Sequence, residues 1–219
     1  MPEKTADAVA IAVMRFPDGL DDAAFLRLHW QKKPLFMPSG FGALDLDLEP
    51  DELAWLATQP DVESRLVFTE RHANTVSYKV RHGPFEDTEL SDLPDRDWTL
   101  LVQDVDKHLP DFRDFFRHCE FIPDWRIDDL MVSFAAPGGS VGPHRDNYDV
   151  FLVQGIGCRE WRIAIDSPVS MDNTSSELSL LLPFAGDRVL PARSSDVLYL
   201  PPGIPHWGIA QDRCMTWSI

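Results

Sequence analysis

Cysteine is scarce: three residues, Cys119, Cys158 and Cys214, with no CxxC pair among them. An odd number at such spacings excludes a disulfide scaffold and suits a reducing cytoplasm. Basic residues are also in deficit, 20 Lys+Arg against 36 Asp+Glu, for a net charge of −16. Such a chain repels phosphate backbones, so direct nucleic-acid binding is not expected, and basic partners are favoured by long-range attraction. No apolar run approaches the roughly 18 residues that a membrane helix needs, so no membrane association is expected. Met1 to Arg15 has no basic head followed by an apolar core, which argues against a secretion signal. Internal repeats, low-complexity tracts and Gly/Ser linkers are likewise missing.

What remains is a chain of 219 residues with 44% hydrophobic content, enough for a real core in one large domain or two small ones. Eighteen prolines and twelve glycines are scattered as punctuation between short elements. The first half carries the helical signals. Asp21 to Gln31 sets Phe25 and Leu28 on one face, and Pro50-Asp51-Glu52 opens a segment with Leu53 and Leu56. Leu101, Val102, Val105 and Leu109 repeat at helical spacing between Trp98 and Leu109. Pro110 then starts a short helix with Phe112, Phe115 and Phe116 inward. Arg65–Thr69 and Val76–Val80 read as two strands around a turn at Ala73-Asn74.

The second half reads as strands: Asp129–Ala135, Tyr148–Gln154, Glu160–Ile165, Leu178–Leu182, Asp196–Leu200 and Cys214–Ile219. Gly/Pro turns at 137–139, 155–157 and 201–203 separate them. The expectation is a mainly β protein, a sandwich or barrel with N-terminal helices packed outside. The last strand runs to Ile219, which suggests a truncation or a larger parent protein.

Among residues that could carry chemistry, Gly142-Pro143-His144-Arg145-Asp146 is the strongest signal. On a strand, His144 and Asp146 project from one face. An imidazole and a carboxylate side by side are two-thirds of a 2-His-1-carboxylate set, which leaves positions open on a non-haem iron. An isolated HxD is common by chance, but this one sits in a β-rich half behind a Gly/Pro turn. His206 supplies a third ligand, placed by Pro201-Pro202-Gly203 at the mouth of the next strand. The other histidines, His29, His72, His82, His108 and His118, lack ligand spacing to a strand carboxylate.

Arg159 opens a segment whose alternation puts Arg159, Trp161, Ile163 and Ile165 on an inward face. A buried arginine needs an anionic partner. Either an internal Asp or Glu, or a dicarboxylate cosubstrate gripped by the guanidinium, meets that need, and spacing alone does not choose. Gly138-Gly139-Ser140 reads as a tight turn, and no GxSxG elbow exists. Asp104 and Asp106 read as a solvated helix face, and Asp128 and Asp129 as a strand entry. Asp149 and Glu160 are candidate carboxylates for steering a basic substrate. Tyr148 and Trp207 are candidate aromatics beside its side chain, core packing being the alternative.

Three stretches together, Asp128 to Phe134, Pro137 to Phe151 and Gln154 to Arg162, resemble the JmjC-type ribosomal oxygenases, especially the bacterial ribosomal protein arginine hydroxylases. Phe25 to Leu35 resembles that group's opening, and Trp125 to Asp129 its lead into the core. The resemblance implies a double-stranded β-helix, the jelly-roll core of cupin-like JmjC domains. It implies Fe(II) on His144, Asp146 and His206, and Arg159 receiving the distal carboxylate of 2-oxoglutarate. It also implies hydroxylation of an arginine on a large-subunit ribosomal protein in the cytoplasm. On this reading residues 1–219 are a catalytic domain with a helix-rich part over about 1–125 and a β-helix core over about 126–219. The family's dimerisation and winged-helix regions are missing from the chain, and the parent protein is expected to be a homodimer. The family's second serine in the strand after Ser133 is Ala135 here. The alternatives are a JmjC hydroxylase or demethylase acting on histidine, asparagine or methyl-lysine, which substrate tests separate, and a non-oxidative metal-binding cupin, which O₂-dependent succinate formation excludes.

Overall fold

The computed structural model describes residues 14–17, 19–42, 48–72, 75–166, 178–181 and 183–219. Two antiparallel sheets form its body. The larger has eight strands: β1 (Leu35–Met37), β2 (Ser64–Arg71), β3 (Val76–His82), β4 (Trp98–Val102), β5 (Met131–Ala135), β6 (Val150–Ile156), β9 (Val197–Leu200) and β11 (Cys214–Ser218), in the order β1-β9-β6-β11-β5-β4-β2-β3. The smaller has β7 (Cys158–Ile163), β8 (Arg188–Arg193) and β10 (His206–Ala210), in the order β10-β7-β8. This is the mainly β architecture expected from the strand pattern, and the two facing sheets are the jelly-roll core that the resemblance implies.

Helices α1 (Asp22–Leu28) and α2 (Pro50–Ala57) join α3 (Asp87–Ser91), α4 (Val105–His108) and 3₁₀ segments at Pro110–Cys119 and Asp124–Arg126. Asp21 caps α1 by accepting the N–H of Ala24 at 2.7 Å. Phe25 is fully buried and packs edge-on to Tyr199, with ring centroids 4.9 Å apart. Leu28 is 47% exposed, so it does not share that face as the spacing predicted. Leu53 and Leu56 of α2 are buried as expected, as are Phe112 and Phe115 beyond Pro110.

Three expectations are corrected. Trp98–Val102 is a central strand, paired with β2 on one side and β5 on the other, and only Val105–His108 is helical. A short apolar run fits both periods, and pairing on both edges decided for the strand. Leu178–Leu181 is not a strand: Leu181 donates its N–H to Pro143 O at 2.8 Å, against the loop that carries His144. Leu182 and the Ala73-Asn74 turn lie outside the described residues. Asp106 is buried, not solvated, and its Oδ1 accepts the N–H of Leu130 at 2.9 Å. Strands β1 and β8 were not anticipated. β1 is only three residues long, and β8 shows little apolar alternation across Arg188, Pro191 and Arg193. No helix among the described residues is long and apolar enough to cross a membrane.

Register puts one row of side chains on the inner face of the large sheet. Arg65 opposes Leu101, Leu101 opposes Ser133, and Ser133 opposes Thr216. All four line a cavity of about 730 Å³ between the sheets. Arg159 and Trp161 of β7 and His206 of β10 line it from the small sheet.

Candidate metal and cosubstrate site

His144 and His206 are bound to each other through their backbones. Each N–H donates to the other's carbonyl, at 2.9 and 2.8 Å, in an isolated antiparallel bridge. The bridge holds the two rings 4.3 Å apart between centroids. His206 is the first residue of β10, as the turn predicted. His144 makes only this bridge, and Asp146 lies in the loop that follows. Their convergence therefore comes from the curve of the loop and not from a regular strand face. Gly203 N–H donates to Asp146 O at 2.7 Å and fastens this loop to the Pro201-Pro202-Gly203 turn. Gly142, at φ +83°, leads into it, where a Cβ would meet Leu180 and Tyr78 within 3 Å.

The ligand atoms of His144, Asp146 and His206 all lie within 4.8 Å of one another, and no other such cluster exists among the described residues. His144 Nε2 is 3.7 Å from Asp146 Oδ1, and His206 Nε2 is 3.5 Å from Oδ2. Both separations exceed a hydrogen bond. The ring orientations explain why. His144 Nδ1 is 2.9 Å from Gly142 O, and His206 Nδ1 is 2.9 Å from Ile204 O. A carbonyl only accepts, so each Nδ1 carries the proton and each Nε2 presents a lone pair. Two lone pairs thus face a carboxylate across a gap that suits a cation. Burial pushes the His206 imidazole down to about 3, which keeps it neutral. Burial raises the Asp146 carboxyl, a penalty that a bound cation would offset.

Arg159 points inward, as alternation predicted, and is 3% exposed. Its Nε and Nη2 are buried without a hydrogen-bond partner, and no carboxylate among the described residues pairs with it. An internal salt bridge is therefore not what holds it. Trp161, with its ring 5.8 Å from the guanidinium, and Ile163 share its face, while Ile165 lies past the strand end and is exposed. Gly208 makes room for Trp161, since a Cβ there would sit 2.6 Å from the indole.

The weaker candidates separate. Tyr148 and Asp149 line the cavity. Asp149 is already engaged, accepting from the Tyr199 hydroxyl and from Gln31 Nε2. Glu160 faces the other way and pairs with Arg162 at 2.8 Å. Trp207 donates to Ser140 Oγ at 2.9 Å beneath Arg162, outside the cavity lining. Neither serves the cavity, because both stand on the opposite faces of their strands. Ala135 is buried against Ala210 and Cys214 and does not line the cavity, whereas Ser133 and Thr216 do. Gly138-Gly139-Ser140 is the tight turn expected, with Gly138 at φ +81°. Sequence reasoning overlooked Arg65 and Gln103, which also line the cavity. The inward period of β2 was the available signal for Arg65, and Gln103 had none, because it follows a run that fits helix and strand alike.

The JmjC domain model matches residues 114–219. The ribosomal protein uL16 3-hydroxylase of Escherichia coli K12 is 41% identical over 195 residues, covering 89% of this chain and 51% of that protein. The chain thus spans about half the length of that curated relative. An X-ray structure of E. coli YcfD superimposes with a TM-score of 0.83 at 39% identity, over 94% of this chain and 54% of that one. A structure of YcfD, a ribosomal oxygenase, in complex with cobalt and 2-oxoglutarate superimposes at 0.80 with 39% identity, over 95% and 52%. In sequence and in fold alike, residues 114–219 form a JmjC domain.

Proposed function

We propose that this protein is an Fe(II)- and 2-oxoglutarate-dependent oxygenase that hydroxylates an arginine of a large-subunit ribosomal protein. The observation that carries the reading is Arg159: a buried guanidinium with unpartnered donors, in the same cavity as His144, Asp146 and His206. A dicarboxylate fits that arrangement. Arg159 holds its far carboxylate by charge-assisted hydrogen bonds, which are strong where water is excluded. His144, Asp146 and His206 hold the divalent metal and leave positions for the near end of the cosubstrate. When bound, iron and 2-oxoglutarate supply oxidation of an unactivated C–H bond by O₂. The chain's own contribution is geometry: fixed imidazole tautomers, a pinned carboxylate and a walled cavity.

A cationic target suits the rest of the lining. Asp128 and Asp129 stand at the cavity together with Tyr148. The Asp129 carboxyl is raised by burial and by the neighbouring Asp104, Asp128 and Asp106. A guanidinium from a substrate would relieve that crowding, and the −16 charge would draw a basic polypeptide in. The E. coli relative, named for its action on uL16, is consistent with a ribosomal protein as substrate. Residues 1–219 are the catalytic part on this reading. The test is intact-mass analysis of ribosomal proteins incubated with the protein, Fe(II), ascorbate and 2-oxoglutarate. One large-subunit protein should gain a single oxygen atom, on arginine in its fragment spectrum. No 2-oxoglutarate-dependent gain would overturn the enzyme reading, and oxygen on another residue type would overturn the arginine.

A further inference from the structure

Arg159 is not the only inward arginine without an ion pair. Arg65, on β2, lines the same cavity from the opposite wall, and its Nε is buried with no hydrogen-bond partner. In so acidic a chain, an inward guanidinium with no ion pair to any described carboxylate is conspicuous. A second orphan stands beside it. Gln103 follows β4 and donates its backbone N–H to Glu63 O at 2.9 Å, extending the pairing with β2 by one step. Two residues beyond Leu101, which opposes Arg65, Gln103 shares the inner face and is a diagonal neighbour of Arg65. Its Oε1 is buried without a partner and lines the same cavity. One wall therefore carries an unsatisfied donor and an unsatisfied acceptor on the same inner face.

The cosubstrate does not account for them. On the reading above, its two ends belong to Arg159 on the small sheet and to the metal triad. A free anion is also a poor match, because the Gln103 oxygen and the carboxylates of Asp128 and Asp129 line the same space and repel it. A neutral group with an acceptor at one end and a donor at the other satisfies both, and a peptide group has that form. We propose that Arg65 and Gln103 clamp the main chain of the polypeptide substrate. Arg65 donates to a backbone carbonyl and Gln103 Oε1 accepts a backbone N–H, close to the residue whose side chain enters the cavity. They are positioning residues: they set how deep the side chain reaches and do not touch the metal or the cosubstrate.

This inference rests on the proposed oxidation of a protein side chain. It is tested with a peptide cut from whichever ribosomal protein gains oxygen in the experiment above. Arg65→Met and Gln103→Leu should each raise the KM for that peptide about 5- to 150-fold, the range for a buried partner left unsatisfied. Cobalt(II) binding, 2-oxoglutarate affinity and peptide-independent 2-oxoglutarate decay should stay at wild-type values. A second measurement needs no variant. Replacing one backbone amide of the peptide at a time by an ester removes an N–H. One position near the target should weaken wild type and have no further effect on Gln103→Leu. An unchanged KM together with indifference to every ester would show that the two orphans only hold water, and would overturn the clamp. A raised 2-oxoglutarate requirement in Arg65→Met would assign Arg65 to the cosubstrate and also overturn it. If wild type oxidises no ribosomal protein at all, the functional reading fails first and the clamp falls with it.

Discussion

Replacing Arg159 by methionine should strengthen the free protein and cripple it as a binder, two effects of opposite sign from one cause. In the free protein the guanidinium is 3% exposed and two of its nitrogens lack partners. Leaving such donors buried costs about 1–3 kcal/mol, more when charged. Methionine fills similar space without a charge, so Arg159→Met should recover part of that penalty. For a domain of this size each kcal/mol moves Tm by about 2–4 °C, giving an expected rise of about 2–10 °C. With cosubstrate the account reverses. Truncating one partner of a buried charge pair costs about 2–5 kcal/mol, so 2-oxoglutarate should bind about 30-fold to a few thousandfold more weakly. Cobalt(II) should bind as before, since Arg159 is not one of the three clustered ligand residues. Thermal unfolding with and without cobalt(II) and 2-oxoglutarate reads all three quantities in one series. A variant that loses several kcal/mol of stability while its 2-oxoglutarate affinity is unchanged would refute the reasoning. It would mean that the guanidinium holds the fold and not the cosubstrate.

Asp146→Ala removes the one carboxylate facing both imidazoles, and should abolish the visible absorption of a cobalt(II) complex that wild type forms at one equivalent; a retained spectrum would place the metal elsewhere. Asp106→Ala strips the acceptor from the buried Leu130 N–H and should cost about 1–3 kcal/mol in urea unfolding, with cobalt(II) binding unaltered. Asp129 is held above the ordinary carboxylate range by burial, so the fold favours its protonated form. The native state then holds the proton more tightly than the unfolded chain, and stability from this group is present at low pH and lost as pH rises through the folded pKa. Asp129→Asn should accordingly be more stable than wild type at neutral pH, by about 1 kcal/mol or less at a half-buried site, with the difference closing on acidification. A constant difference from pH 4 to 7 in urea midpoints would remove that account.

How much of this was legible in the residues follows from how local each signal is. His144 and Asp146 are two apart with Gly142 and Pro143 before them, so their partnership could be read without a fold. His206 was legible because Pro201-Pro202-Gly203 fixes the chain just ahead of it. Arg159 was legible by half: the alternation of β7 told that it faces inward, but an internal carboxylate and an external one remained equal until its Nε and Nη2 were found without a partner among the described residues. The β character of the second half came from turn spacing and alternation, which are properties of neighbouring residues.

The tertiary structure decided everything that depends on who lies across the sheet. Thr99 to Val102 fits a helix or a strand, and becomes a strand because β2 and β5 flank it and satisfy its backbone on both edges. That one assignment places Leu101 opposite Arg65 and carries Gln103 beside it, creating the polar wall that no local pattern announces. Asp106 looked like a surface acid until Leu130 needed its oxygen. The physical reason is the same in each case. Periodicity along the chain tells which way a side chain points relative to its own backbone. Only long-range pairing fixes what it points at, and so whether a buried charge has found its partner within the chain or must take one from outside.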